Sequence, residues 1–122
     1  MPYPAITSAL LLLASSGAPT LVQDVAIFEP APITENLSVT AYGIIKDSRC
    51  ADFGFCSAQD ALVVAVVVLD HGQRRGVQLE LGEPIQVSGG TLTLASTPTA
   101  PSDNGAIPLK DYVLNYTFIP SR

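Results

Sequence analysis

The chain has 122 residues, 48% of them hydrophobic and only 14% charged, with a net charge of -5 and a pI near 4.5. No Lys/Arg cluster exceeds the pair Arg74-Arg75, so neither a nucleic-acid backbone nor an anionic membrane surface is an expected partner. A chain this long buries roughly two-thirds of its unfolded surface as one domain. Ten prolines and nine glycines suit short strands and tight turns rather than long helices.

From Met1 to Gln23 no side chain is charged. The apolar run Ala5 to Ala14, with Leu10-Leu11-Leu12-Leu13, precedes the small residues Ala14-Ser15-Ser16-Gly17-Ala18. This resembles the apolar and cleavage regions of a secretory signal peptide, without the usual basic residue ahead of it. The run falls well short of the ~20 residues that cross a bilayer, so no integral membrane span is expected. Cleavage after Ser16 fits best, since Pro19 follows Ala18. Ser16 also stands where a lipoprotein box needs cysteine, so lipidation is not expected. The expected organisation is a leader over 1–18 and one β domain over 19–122, secreted or periplasmic. An apolar first strand is the rival reading of the leader.

Val22 to Phe28 reads as a short edge strand ended by the turn Pro30-Ala31-Pro32, because proline cannot donate to a ladder. Asn36 to Lys46 alternates with Leu37, Val39, Ala41, Gly43 and Ile45 on one face. Leu62 to Leu69 is apolar at every position and mostly valine, which predicts a central strand buried on both faces. Asp60 and Asp70 bracket that run as gatekeepers or as ordinary strand-end residues. A connection from Asp70 to Arg75 leads to a strand burying Val77, Leu79 and Leu81. Pro84 to Val87 and Thr91 to Ala95 follow as strands, and Thr97 to Pro108 as the longest loop. Tyr112 to Ile119 closes the chain, with Tyr112, Leu114, Tyr116 and Phe118 on one face. Seven strands without helical periodicity predict an all-β fold, a two-layer antiparallel β-sandwich. An immunoglobulin-like arrangement is one form of it, although tryptophan is absent and the two cysteines are too close to pin opposing sheets.

Cys50 and Cys56 enclose Ala51-Asp52-Phe53-Gly54-Phe55. In an exported chain a disulfide between them is the expected state, a local structural staple. Free thiols are the rival, and a zinc site would need ligands beyond the single histidine, His71. Arg49 is expected to pair with Asp47 or Asp52 and hold this loop. Alternatively, Arg49, Asp52, Phe53 and Phe55 form a recognition loop, since exposed Arg and aromatic side chains are common binding anchors.

Asp47-Ser48-Arg49-Cys50 with Cys56 six positions on resembles a family of uncharacterised bacterial secreted proteins and lipoproteins. That family carries Asp-Ser-Arg-Cys-Pro, a second cysteine and Val-Trp-Ala-Gly. Here Ala51 replaces the proline, Gly54 a usual aliphatic residue, and Ser57-Ala58-Gln59-Asp60 the last element. The resemblance implies an exported β-rich domain and no established activity.

Catalytic constellations are not legible. His71 lies in an expected turn, no G-x-S-x-G nucleophile motif occurs, and neither a cofactor nor a metal site is expected. The primary expectation is therefore an exported, non-enzymatic binding or structural domain of unknown ligand, with an envelope protein or a polysaccharide as candidate partners. One alternative is an inhibitor that presents the Cys50–Cys56 loop, or the proline-rich loop, to an envelope or secreted enzyme. Another is a small hydrolase or carbohydrate-processing module whose acids, Asp47, Asp52 and Asp60, converge in the fold.

Overall fold

The computed structural model describes residues 18–49, 61–101 and 107–121. Eight strands run in chain order: β1 (Thr20–Ala26), β2 (Pro30–Thr34), β3 (Leu37–Asp47), β4 (Leu62–Asp70), β5 (Gln73–Glu80), β6 (Ile85–Val87), β7 (Gly90–Ser96) and β8 (Val113–Pro120). They form two antiparallel four-stranded sheets, ordered β1-β8-β7-β6 and β2-β3-β4-β5. The chain is thus an all-β sandwich, as the alternating apolar patterns predict, and the described residues include no α-helix.

One more strand is present than the sequence suggested. Pro30-Ala31-Pro32 is the start of β2, paired with β3 through Pro30 to Thr40, Ala31 to Val39 and Pro32 to Ser38. Two prolines at alternate positions remove N–H groups from the same side of the strand. An edge strand has one side without a ladder, so it tolerates both. Ala31 and Ile33, at the alternate positions, point into the core.

The core lies between the sheets, and no polar or charged residue is buried among the described ones. From β4 it takes Leu62, Val64, Val66 and Val68. The other face of β4 is not buried as expected: Val63, Ala65 and Val67 are half-covered and Leu69 is 42% exposed. A four-stranded sheet in a two-layer sandwich has only one covered face, so an all-apolar strand here marks centrality within its sheet rather than burial on both sides. In β3 the predicted inward set holds through Ala41. Register shifts between Ala41 and Gly43 and between Ile44 and Lys46 then break the alternation. Each bulge inserts an extra residue and reverses the facing, leaving Ile44 against the core and Ile45 exposed.

His71 and Gly72 form the two-residue β4–β5 turn, with φ of 53° and 82°. Positive φ at both positions matches the type I′ hairpin. Strand pairing therefore resumes at Gln73, earlier than the expected start at Gly76.

Candidate functional site

Among the described residues, a connected polar cluster sits at one end of the sandwich, between residues that flank 50–60 and residues that flank 102–106. Asp47 is the last residue of β3, and Arg49 follows two positions on. The guanidinium grips the carboxylate in a fork: Nε donates to Oδ1 at 2.8 Å and Nη2 donates to Oδ2 at 2.9 Å. Nη1 donates to the Thr99 carbonyl at 2.7 Å, beyond the end of β7 in the opposite sheet. The Tyr112 hydroxyl, at the entry to β8, donates to Asp47 Oδ2 at 2.6 Å. One carboxylate therefore joins the two sheets, and the planar arginine matches it in a way lysine cannot.

Both loop roots are fixed by this cluster and its neighbours. Ser48 N–H donates to the Ala61 carbonyl at 2.8 Å, and Ala61 N–H donates to Ser48 Oγ at 3.3 Å. These bonds close the base of residues 50–60. On the other side, Thr97 Oγ1 donates to the Val113 carbonyl, while Val113 N–H donates to Thr99 Oγ1. Thr99 Oγ1 donates in turn to the Asp111 carbonyl at 3.0 Å. That pair of threonines binds the start of the proline-rich loop to its end.

The electrostatics follow from the geometry. The Arg49 side chain holds the Asp47 carboxyl below its ordinary value of 3.8, outweighing the effect of burial; Tyr112 adds to the lowering. Burial first, and then the adjacent Asp47, push the Tyr112 phenol up to about 12. Asp47 is thus held ionised and its partner protonated. Neither is available for proton transfer near neutral pH.

Of the residues predicted to matter, Arg49 pairs with Asp47, one of its two expected partners, and its side chain is only 9% exposed. Asp52, Phe53, Phe55, Asp60 and the Cys50–Cys56 pair lie outside the described residues. Tyr112, Thr97 and Thr99 belong to the cluster without any mark in the sequence that makes them site residues. Tyr112 is 65 positions from Asp47 and Thr99 is 50 from Arg49, so no local pattern links them. His71 occupies the turn expected for it, with Nδ1 2.8 Å from Asp70 Oδ1 and a largely exposed ring. Its hydrogen bond, followed by the Ser88 N–H, lowers the Asp70 carboxyl. An open depression of about 420 Å³ beside it is lined by Asp70, His71, Gln73, Arg74, Arg75 and Ser88.

Two aromatics are exposed at a third place: Phe28 and Tyr42 meet edge to face, with centroids 5.9 Å apart and rings at 70°. Among the described residues no group of three or more His, Cys, Asp or Glu is arranged to hold a metal, and no helix is long and apolar enough to cross a membrane. No family model matches the chain, and no significant match is found among curated proteins or solved structures.

Proposed function

We propose that this is an exported, non-enzymatic binding or structural domain whose recognition elements are the segments 50–60 and 102–106. The observation that carries the reading is their shared root. Asp47, Arg49, Thr99 and Tyr112 bond across the two sheets at the base of both segments. A rigid root lowers the ordering cost of binding by whatever a loop carries. The leader-like Met1 to Gln23 stretch and the resemblance of Asp47-Ser48-Arg49-Cys50 to a family of exported proteins support the location. The carbohydrate-processing alternative is weakened because Asp47 is committed to Arg49 and Tyr112.

Immobilised protein challenged with envelope extract and with envelope polysaccharide tests this reading. The expected result is retention of a defined component that drops at least tenfold in the Phe53→Ala/Phe55→Ala double variant, with an unchanged melting temperature. Equal retention by both proteins would remove the loop from the function. Recovery of the chain from the cytosol alone, with Met1 intact, would remove export. A protease panel run in parallel identifies inhibition as the form that binding takes.

A further inference from the structure

The four sheet edges are not equally protected. Strand β2 carries two prolines, β1 is interrupted between Val22 and Val25 with Asp24 at φ 62°, and β6 has only three residues. These are devices that keep an edge from pairing with another chain. Strand β5 has none of them: it runs unbroken from Gln73 to Glu80 in regular register with β4, without proline or bulge.

The backbone direction of β5 is fixed by a single bond. Leu81 N–H donates to the Leu62 carbonyl at 2.8 Å, one step beyond the Val63 to Glu80 pair. In an antiparallel ladder the hydrogen-bonded pairs alternate. Leu79, Val77, Arg75 and Gln73 therefore use their main-chain groups toward β4. Gly76 and Gln78 direct theirs outward, as do Arg74 and Glu80.

We infer that the β5 edge is a self-complementary docking surface that joins two copies of this chain in a twofold antiparallel dimer centred on Val77. Parity allows outward residues to pair only with outward residues. The register that uses all four sets Arg74 opposite Glu80 of the second copy and Gly76 opposite Gln78, each twice about the dyad. The fullest backbone overlap is therefore also the charge-matched one. Arg74 and Glu80 are both exposed, and neither has an ion-pair partner among the described residues. Slipping the strands toward an Arg75–Arg75 contact brings like charges together, so the charges select the register as well as hold it. Charges placed only to block pairing would not leave the middle of the edge to Gly76, Val77 and Gln78.

At the Glu80 end, its carbonyl already accepts the Glu83 N–H at 2.9 Å. There the new ladder relies on the Glu80 N–H donating to the Arg74 carbonyl of the second copy. The contact merges two four-stranded sheets into one continuous sheet. Asp47 and Leu62, at the loop root, share the Glu80 end of the sheet with Val63. The dyad therefore carries the two roots to opposite ends and leaves both uncovered.

Sedimentation equilibrium on the full chain at low ionic strength tests the dimer. Wild type is expected to dimerise with concentration. Arg74→Glu and Glu80→Arg are each expected to raise the dissociation constant at least tenfold, and the double exchange to restore it, because the swapped pair is again opposite in charge. Gln78→Pro removes an outward N–H without touching the β4 ladder, so it should give a folded monomer with a near-native melting temperature. Should that variant fail to fold, the charge exchanges carry the test alone. A wild type that stays monomeric up to about 1 mM overturns the inference. So does a dimer that ignores both single reversals, which would place the contact elsewhere in the chain. Assembly beyond the dimer would mean an open-ended contact and would also overturn it.

Discussion

The Tyr112 hydroxyl donates to Asp47 Oδ2 across 2.6 Å, joining the entry of one sheet's β8 to the last residue of the other sheet's β3. The same carboxylate is forked by Arg49. This is a charge-assisted bond in a half-buried setting, for which net contributions of about 1.5–3 kcal/mol are usual. Tyr112→Phe should therefore lower unfolding stability by about 2 kcal/mol in urea denaturation while the core ring remains packed. A loss within 0.5 kcal/mol would mean that the fork alone holds the carboxylate.

The same relationship sets a pH dependence. Arg49 holds the folded-state pKa of Asp47 below its ordinary 3.8, so the folded chain prefers the ionised acid. That stabilisation is fully present above the unfolded-state value and is lost as pH falls below about 4 and through the lowered folded-state value. Tyr112 behaves in the opposite sense. Its raised pKa, about 12 against 10.0, favours the protonated phenol, and this contribution disappears as pH rises from about 10 to 12. Urea midpoints across pH 2–6 should fall more steeply for wild type than for Asp47→Asn. Parallel acid profiles would show that the acid sensitivity arises elsewhere, with Asp70 the next candidate because His71 and Ser88 lower it in the same direction.

The strand inventory is legible because period-two patterns report one covered face in β3, β7 and β8, while β4 stands out as an unbroken, mostly β-branched apolar run. Sequence is silent where a residue's meaning depends on its place in the sheet. Pro30 and Pro32 break a central ladder yet suit an edge, and sequence does not say which strand is an edge. Ile45 changed face because bulges intervene in β3, and a bulge leaves no fixed signature in side-chain chemistry. The Asp47–Arg49 pair was accessible as a short-range match of charge. Its extension to Thr99 and Tyr112 was not, since those contacts exist only once the sheets stack.

The disulfide expected from the sequence between Cys50 and Cys56 leads to a prediction of its own. With Ser48 and Ala61 bonded at the base, the ends of segment 50–60 are already joined, so a disulfide inside it closes only a short additional loop. Cys50→Ser/Cys56→Ser should cost about 2 kcal/mol, as the chain-entropy relation gives for a short ring, and leave the strand signals unchanged in amide NMR spectra. Free thiols by alkylation of protein recovered from an oxidising compartment would refute the bond itself.

Gly90 opens β7 against Pro120 of β8 and is buried. A Cβ built there would stand 2.2 Å from the Ile119 carbonyl oxygen and 2.9 Å from the Pro120 Cα. Both are backbone atoms in a paired strand, so neither can swing aside as a side chain would. Gly90→Ala should destabilise by about 1–3 kcal/mol, the usual range for overpacking, whereas Gly43→Ala, where nothing lies within 4 Å, should stay within about 0.5 kcal/mol. Equal effects at the two glycines would show that β7 and β8 separate freely at that end.

Among the described residues Tyr116 is the largest fully buried side chain, and its hydroxyl has no hydrogen-bond partner among them. Burial alone pushes its pKa up, in contrast to Tyr112, where a partner contributes. A buried hydroxyl without a partner gives up its water bonds for nothing, a cost of about 1–3 kcal/mol. The ring is nevertheless needed to fill the space between the sheets. Tyr116→Phe keeps the ring and removes the unsatisfied atom, so it should raise stability by about 1 kcal/mol. Tyr116→Ala should lose about 3–5 kcal/mol through the cavity it leaves. Urea denaturation of the two variants separates ring from hydroxyl. A Phe variant less stable than wild type by 1 kcal/mol or more would show that the hydroxyl is satisfied in solution, most simply by a water enclosed in the core.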